Sequence, residues 1–343
     1  MKRHLNTLFV TTQGAYLSKD GEAVRVRVEG KTVLRVPLHN LGGIVTFGNV
    51  ACSPFLMGFC GDRGVSLSFL SRHGRFLARI HGRTTGNVLL RREQYRRAED
   101  GPRCAELARG IVVAKIANCR SVLGRAMRDH PELHGAERIQ DARRRMAQLL
   151  CLAQRESDLD SLRGLEGSAG RVYFSVFGAL VVHQKEDFPF SGRSRRPPLD
   201  NVNALLSFVY TLVRHDVASA LESAGLDPQV GFLHRDRPGR PGLALDLMEE
   251  FRAFLADRLV LSLVNLKQVQ GAGFMRTASS GVVMDDRTRK RVLVAYQERK
   301  QDELAHPFLG EKTTVGLLFQ LQALLLARYL RGDMDAYPSF VTR

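Results

Sequence analysis

The chain lacks most of the marks by which enzyme classes show themselves in sequence. Its five cysteines, Cys52, Cys60, Cys104, Cys119 and Cys151, are odd in number, scattered, and never spaced as CxxC. That excludes a disulfide framework or a zinc ribbon and fits a reducing compartment. No apolar run approaches the ~20 residues of a membrane span, and no basic amphipathic anchor is present. The opening MKRHLNTLFV has no apolar core long enough for a signal peptide. A cytoplasmic protein without a membrane partner is expected. Walker, Rossmann and Ser-His-Asp signatures are missing, as are glycine-rich phosphate loops and internal repeats. Chemistry therefore has to come from carboxylates and histidines.

Positive charge is what the chain has in excess. Lys and Arg number 51 against 35 Asp and Glu, a formal charge of +16. Such an imbalance points to a polyanionic partner, and without a membrane anchor that partner is nucleic acid. The length of 343 residues, 44% hydrophobic, suits two domains with real cores.

From Leu5 to about Ile80 the hydrophobic period is two. LNTLFVTT, AYLS, AVRVRVEG, TVLRVPL, GGIVTFG, VSLSFLS and RFLARIHG each read as a strand, with hairpin turns at Asp20-Gly21 and Glu29-Gly30. Ser53-Pro54 opens a short capped helix. His4, His39 and His73 stand alone, without acids at ligand spacing. HGRTTG, residues 82–86 within it, reads as a hinge, because the period turns helical after Asn87. Long amphipathic helices follow, broken at Gly101-Pro102 and around His130 to Gly135. The loop HQKEDFPFSGRSRRPPLDNVN carries Arg193, Arg195 and Arg196 as a phosphate-contacting arm,. Asp200 and Asn203 cap the next helix, which ends at Gly225.

The densest chemistry lies in PQVGFLHRDRPGRPGLALDLMEEFR, residues 228–252. Prolines and glycines keep its first half a loop, and an amphipathic helix starts near Gly242 with Leu243, Leu247, Phe251, Phe254, Leu255 and Leu259 inward. Asp246 lies beside both Glu249 and Glu250 at one edge of that face. Clustered acids repel unless a cation sits among them, and His234 upstream offers a nitrogen ligand. Such a mixed set suits manganese or magnesium. Acids on an amphipathic helix are more often a solvated face, so the metal reading requires a third ligand from elsewhere. Glu166, between Gly164 and Gly167 at the edge of another apolar stripe, is the candidate. Against it stands the plainer reading of an acid at a helix N-terminus. Local charge marks Arg235, Arg237, Arg240, Arg252 and Lys267 as phosphate contacts.

Glu166 in LRGLEGSAGRVYF, His234 in the loop and the DLMEE helix, in that order, resemble the CRISPR-associated integrase family, and within it the branch serving type I-C systems. The resemblance spans essentially the whole chain. It implies an α+β protein with a β-rich dimerisation domain over 1–81 and an all-helical, metal-dependent catalytic domain over 87–343. Glu166, His234 and Glu249 then bind Mn2+ or Mg2+, with Asp246 as an accessory acid. Spacing alone does not choose between Glu249 and Glu250; the family's D-x-x-E helix selects Glu249. The implied reaction is endonuclease and integrase chemistry, the 3′-hydroxyl of a short duplex attacking a CRISPR array by transesterification. The implied partners are double-stranded and branched DNA, a second copy of the chain, and a small companion CRISPR-associated protein in a heterohexamer, with a nuclease that trims substrate ends. Two other classes remain compatible with the residues: a noncatalytic DNA-binding protein, in which the acids are dispensable, and a small-molecule metallohydrolase, which the charge disfavours.

If the excess charge serves phosphate contacts, log affinity for duplex DNA falls linearly with log salt, with a slope of ~0.9 per phosphate neutralised. Fluorescence anisotropy across a salt series measures it, and a flat dependence removes the electrostatic account.

Overall fold

Alternating residues build the first part of the chain. In the computed structural model, which describes residues 6–72, 76–80, 82, 87–132, 135–278 and 280–342, each of the seven β-rich runs contains a strand. They are β1 (Asn6–Val10), β2 (Tyr16–Asp20), β3 (Ala23–Val28), β4 (Lys31–Pro37), β5 (Leu41–Phe47), β7 (Ser66–Leu70) and β8 (Phe76–Ile80). The two-residue β6 (Ala51–Cys52) is too short for periodicity to reveal. One sheet runs β4-β3-β2-β6 and the other β1-β5-β7-β8. The β3–β4 turn has Glu29 and Gly30 both at positive φ, 49° and 79°, the geometry a two-residue hairpin requires. In β3, Val24 and Val26 are buried while Arg25 and Arg27 are only partly covered. Helix α1 (Pro54–Asp62) starts as expected, Ser53 Oγ accepting from Leu56 N at 3.2 Å. It closes the core of Leu17, Val24, Ile44, Leu56, Cys60 and Leu67.

By internal contacts the chain divides into Met1–Gly86 with Met284–Glu298, and Asn87–Val283 with Arg299–Arg343. The β-rich unit thus takes in most of helix α9 (Asp286–Gln301), and Arg72 ties to it through a 2.6 Å pair with Asp286. Of the expected hinge only Gly82 is among the described residues. His4 and His73 lie outside them, as do residues 133 and 134 of the expected loop between the long helices.

The second unit is built on α2 (Val88–Glu99), α3 (Gly101–Asp129), α4 (Ala136–Arg155), α5 (Leu159–Phe177), α6 (Asn201–Ser223), α7 (Gly242–Phe251), α8 (Arg258–Asn265) and α10 (Val315–Arg331). Asp100 caps α3 by accepting from Arg103 N, and Asp200 caps α6 through Asn203 N at 2.7 Å. Two short ribbons accompany the helices, β9 (Phe274–Arg276) with β10 (Val282–Met284), and β11 (Glu303–Ala305) with β12 (Lys312–Thr314). Three-residue strands carry too little pattern to be read in advance.

Two departures bear on the site. Helix α5 starts at Leu159 under an Asp158 cap, not near Gly164, so Glu166 lies two turns in and owes nothing to a helix N-terminus. The run from Gly242 is not one regular helix. Arg252–Asp257 forms a π turn between α7 and α8, and because such a turn closes i to i+5 it brings residues five apart onto one face.

The C-terminal segment is sewn to α7. Buried Glu250 accepts from Phe340 N at 2.7 Å, Tyr337 Oη at 2.8 Å and Gln322 Nε2 at 2.9 Å. Asn118 on α3 donates to the carbonyls of Glu250 and Phe340 at 2.8 and 2.9 Å, and the Phe340 ring stacks on Phe251. Glu250→Ala leaves three buried donors without their acceptor and is expected to lower stability by about 3 kcal/mol, with Tyr337→Phe lowering it by about 1 kcal/mol. Urea unfolding measures both, and a neutral Glu250→Ala would show that the tail is not held this way.

Candidate active site

Three helices meet where the sequence placed its acids. Helix α5 brings Glu166, α7 brings Glu249, and between them α3 delivers Lys115. Its ammonium lies 2.8 Å from Glu249 Oε2 and pairs also with Glu166 Oε1. Arg252 holds the other Glu249 oxygen, Oε1, at 3.0 Å. Exposure falls from 27% at Glu166 to 10% at Lys115 and 1% at Glu249, so Glu249 keeps its charge out of water. Burial alone pushes its carboxyl up, but Arg252 and Lys115, with His234 nearby, outweigh that and hold it at about 2. The same pair of acids holds the Lys115 ammonium above its usual range against the opposing effect of burial.

Glu249 and Glu250, adjacent in sequence, face different neighbours. Adjacent residues on a helix diverge by about 100°. Glu249 faces Glu166, whereas Glu250 faces the C-terminal tail, where burial raises its carboxyl to about 7. Glu250 is committed to the fold.

Asp246 departs from its expected place as an accessory ligand. It is buried, and both oxygens are engaged: Oδ2 accepts from Phe232 N at 2.6 Å and Leu233 N at 2.9 Å, and Oδ1 accepts from His234 N at 2.9 Å while meeting His234 Nδ1 at 2.6 Å. No oxygen is left for a cation. Asp246 instead fixes the loop and the ring, placing the proton on Nδ1 and leaving Nε2 as the free lone pair, the usual arrangement for a metal-ligating histidine. Gly231 permits this close approach, since a Cβ there would lie 2.6 Å from the Gly242 carbonyl carbon and 2.7 Å from Asp246 Oδ2. Arg163 Nε adds a hydrogen bond of 2.6 Å to the Leu233 carbonyl.

Among the described residues, no three His, Cys, Asp or Glu side chains converge as a metal-binding group. Glu166 and Glu249 converge on the Lys115 ammonium. The donors nonetheless fit a hard divalent ion: two carboxylates and one oriented imidazole. Glu249 Oε2 also lies buried, with the Lys115 ammonium at 2.8 Å.

Beside this junction is a cavity of about 520 Å³ lined by Lys115, Glu166, Arg171, Arg193, Arg195, Tyr173, Tyr210, Arg252 and Asp257 among others. Here the π turn acts, turning both Arg252 and Asp257 into the cavity. Tyr210 donates to Asp257 at 2.6 Å, and the Arg193 and Arg252 guanidiniums stand 5.3 and 5.0 Å from the Tyr210 ring centre. Nε of both arginines is buried without a partner, and the Tyr173 hydroxyl is turned toward Asp257. Unsatisfied buried donors in a cavity mark a place for an acceptor-rich ligand.

The family model described as CRISPR associated protein Cas1 matches residues 8–298. A CRISPR-associated endonuclease Cas1 of Chlorobaculum tepidum is 55% identical over 343 residues, covering 100% of each chain. The chain belongs to the Cas1 family. A casposase bound to integration product shares its fold with a TM-score of 0.84 at 22% identity, over 98% of this chain and 94% of that one. A chain of a Cas6-RT-Cas1–Cas2 complex does so with a TM-score of 0.81 at 23% identity, over 98% of this chain and 36% of that one.

Of the basic residues read from local charge, Arg252 reaches the cavity of this Cas1-family chain, as do Arg193 and Arg195 of the expected arm. Arg235 is exposed and pairs with Asp160 at 2.9 Å. Arg237 and Lys267 are exposed and Arg240 is half-buried, and none of them lines the cavity. Lys115, Arg171, Tyr173, Tyr210 and Asp257 were missed. For Lys115 a signal existed: with Ile111 and Cys119 it occupies one stripe of α3, and both of those are buried, so a charge at that spacing demands an acid opposite.

Burial raises the Asp257 carboxyl to about 6 despite the Tyr210 hydroxyl and the nearby arginines. An acid whose pKa is raised by folding stabilises the fold while protonated in both states and loses that contribution as pH rises through the folded value. Between pH ~4 and ~7 this amounts to about 3 kcal/mol. Asp257→Asn is expected to remove that component of the pH dependence, measured as the wild-type minus variant difference in urea stability at the two ends of the window. Parallel curves would show that Asp257 stays ionised.

Proposed function

We propose that the protein is a metal-dependent DNA endonuclease and integrase, inserting short foreign duplexes into a CRISPR array by transesterification. The observation that carries the proposal is the meeting of Glu166 and Glu249, from separate helices, around one cation position beside a cavity lined by arginines. Full-length similarity to a Cas1 endonuclease supports the same reading. Glu166, Glu249 and His234 are the residues that would hold Mn2+ or Mg2+. When bound, the ion lowers the pKa of an attacking hydroxyl and neutralises charge on the attacked phosphate. In the reaction the 3′-hydroxyl of the incoming strand gives up its proton and forms a bond to the phosphorus of a target phosphodiester; the bond from that phosphorus to the target strand's own 3′-oxygen breaks, and this 3′-oxygen leaves and takes up a proton.

The remaining roles follow from placement. Asp246 keeps the His234 ring oriented. Arg193 and Arg252 offer their unpartnered Nε–H groups to the DNA backbone, with Arg171 and Arg195 adding charge at the cavity wall,. His234 would bind through the ring nitrogen that Asp246 leaves free,.

The assembly belongs to the same proposal: homodimers formed through the β-rich unit, two of them flanking a Cas2 dimer in a heterohexamer, within a type I-C system and working with an end-trimming nuclease. The structural likeness to a Cas1 chain in a complex with Cas2 supports the companion. No helix among the described residues is long and apolar enough to cross a membrane.

A branched duplex incubated with Mn2+ tests the chemistry. Glu166→Ala, His234→Ala and Glu249→Gln are expected to lose strand transfer by 10²-fold or more while retaining DNA affinity, since the arginines supply the binding. Glu250→Gln keeps most of its acceptor capacity toward the tail and is expected to remain active. Equal losses at positions 249 and 250 would show that the ligand is misassigned. Unchanged activity in all four variants would leave a DNA-binding protein whose acids are dispensable.

A further inference from the structure

Lys115 stands where a cation shared by Glu166 and Glu249 would stand. Its ammonium touches Glu166 Oε1 and lies 2.8 Å from Glu249 Oε2. The second contact is a buried pairing of opposite charges. Glu249 Oε1 is held separately by Arg252, so Oε2 depends on Lys115 alone. The residues also balance as they stand, two carboxylates against one ammonium and one guanidinium. A divalent ion added to that set leaves an excess of two positive charges at a nearly buried place, which repulsion opposes strongly. Either a cation leaves or an anion arrives. Lys115 is itself part of the wall of the adjoining cavity, so its ammonium has a polar route away from the acids.

We propose that Lys115 is an internal counter-cation: it holds Glu166 and Glu249 together in the metal-free protein, yields their oxygens to the divalent ion, and turns into the cavity to meet a DNA phosphate. This rests on the metal-dependent reading above. Metal and DNA binding are then coupled through one side chain. The ion without DNA must displace an ammonium that has no anion to receive it. The ion with DNA releases that ammonium onto phosphate. Because coupling is reciprocal, DNA tightens the ion as much as the ion tightens DNA.

The experiment measures Mn2+ binding by the electron paramagnetic resonance of free Mn2+, in wild type, Lys115→Met and Lys115→Arg, with and without a duplex whose dideoxy ends prevent turnover. Without DNA, Lys115→Met is expected to bind Mn2+ roughly tenfold more tightly or better, since an ammonium within ~4 Å repels the ion by at least that much at a protein-like dielectric. Lys115→Arg, which keeps the charge, is expected to bind no more tightly than wild type. The duplex is expected to tighten Mn2+ in wild type and to have little effect in Lys115→Met. In the same variants, metal-free Lys115→Met should melt lower than wild type, and saturating Mn2+ should raise its Tm by more.

Glu166→Gln separates the two layers of the argument. If it abolishes Mn2+ binding while Lys115→Met binds Mn2+ no better than wild type, the ligand reading stands and the displacement is wrong. If Mn2+ binding does not depend on Glu166 in any variant, the ligand reading fails and this proposal with it. Should Lys115→Met not fold, the wild-type measurement decides alone, because the absence of any tightening of Mn2+ by duplex overturns the coupling.

Discussion

The helical unit is organised around the burial of a carboxylate that keeps its charge. Glu249 is 1% exposed, and an ionised acid in that position is tolerable only with cations in contact. Lys115 from α3 and Arg252 from the following turn are those cations, and their presence dictates how three helices approach. Remove the acid and two positive side chains are left facing each other at the junction. Remove either cation and the acid is left underpaired. The junction is thus a mutual constraint in which the charge of each member is balanced by the others.

Neighbouring residues on α7 divide the work. Glu249 looks toward Glu166 and the cavity, while Glu250 looks toward the chain's last residues and binds three donors there. Asp246, one turn earlier, faces the loop of His234 and gathers three backbone N–H groups together with the imidazole. Three acids that read as one cluster are therefore three separate anchors within one arc of a helix. Each holds a different segment against α7: a neighbouring helix, the tail, and the histidine loop. The reactive groups are as rigid as those segments.

How far the sequence could be read follows from this division. Strands were visible because AVRVRV and its neighbours alternate, and Ser53, Asp200 and the Glu29-Gly30 turn declare themselves through local hydrogen bonding and backbone sign. Glu166, His234 and Glu249 were reached by motif, and their approach in space could not have been read from spacing. The hold of Asp246 on the loop is not legible in sequence, because helical adjacency reports which residues share an edge, not whether their oxygens are already engaged by a loop folding back. The cavity was invisible for a related reason. Tyr173, Tyr210 and Asp257 sit in apolar runs where each reads as core, and only packing shows that their polar ends gather at one place. Two- and three-residue strands carry no period at all.

The π turn at Arg252–Asp257 has a consequence for how this helix can change. It is a phase slip: the apolar stripe of α7 and that of α8 are out of step by one residue, and the turn absorbs the difference. Deleting one residue inside it would restore regular α-helical hydrogen bonding and improve the helix as a helix. It would also rotate everything downstream by about 100°, taking Asp257 away from Tyr210 and the wall of the cavity. A more regular helix here would therefore be a helix without this side of the cavity wall.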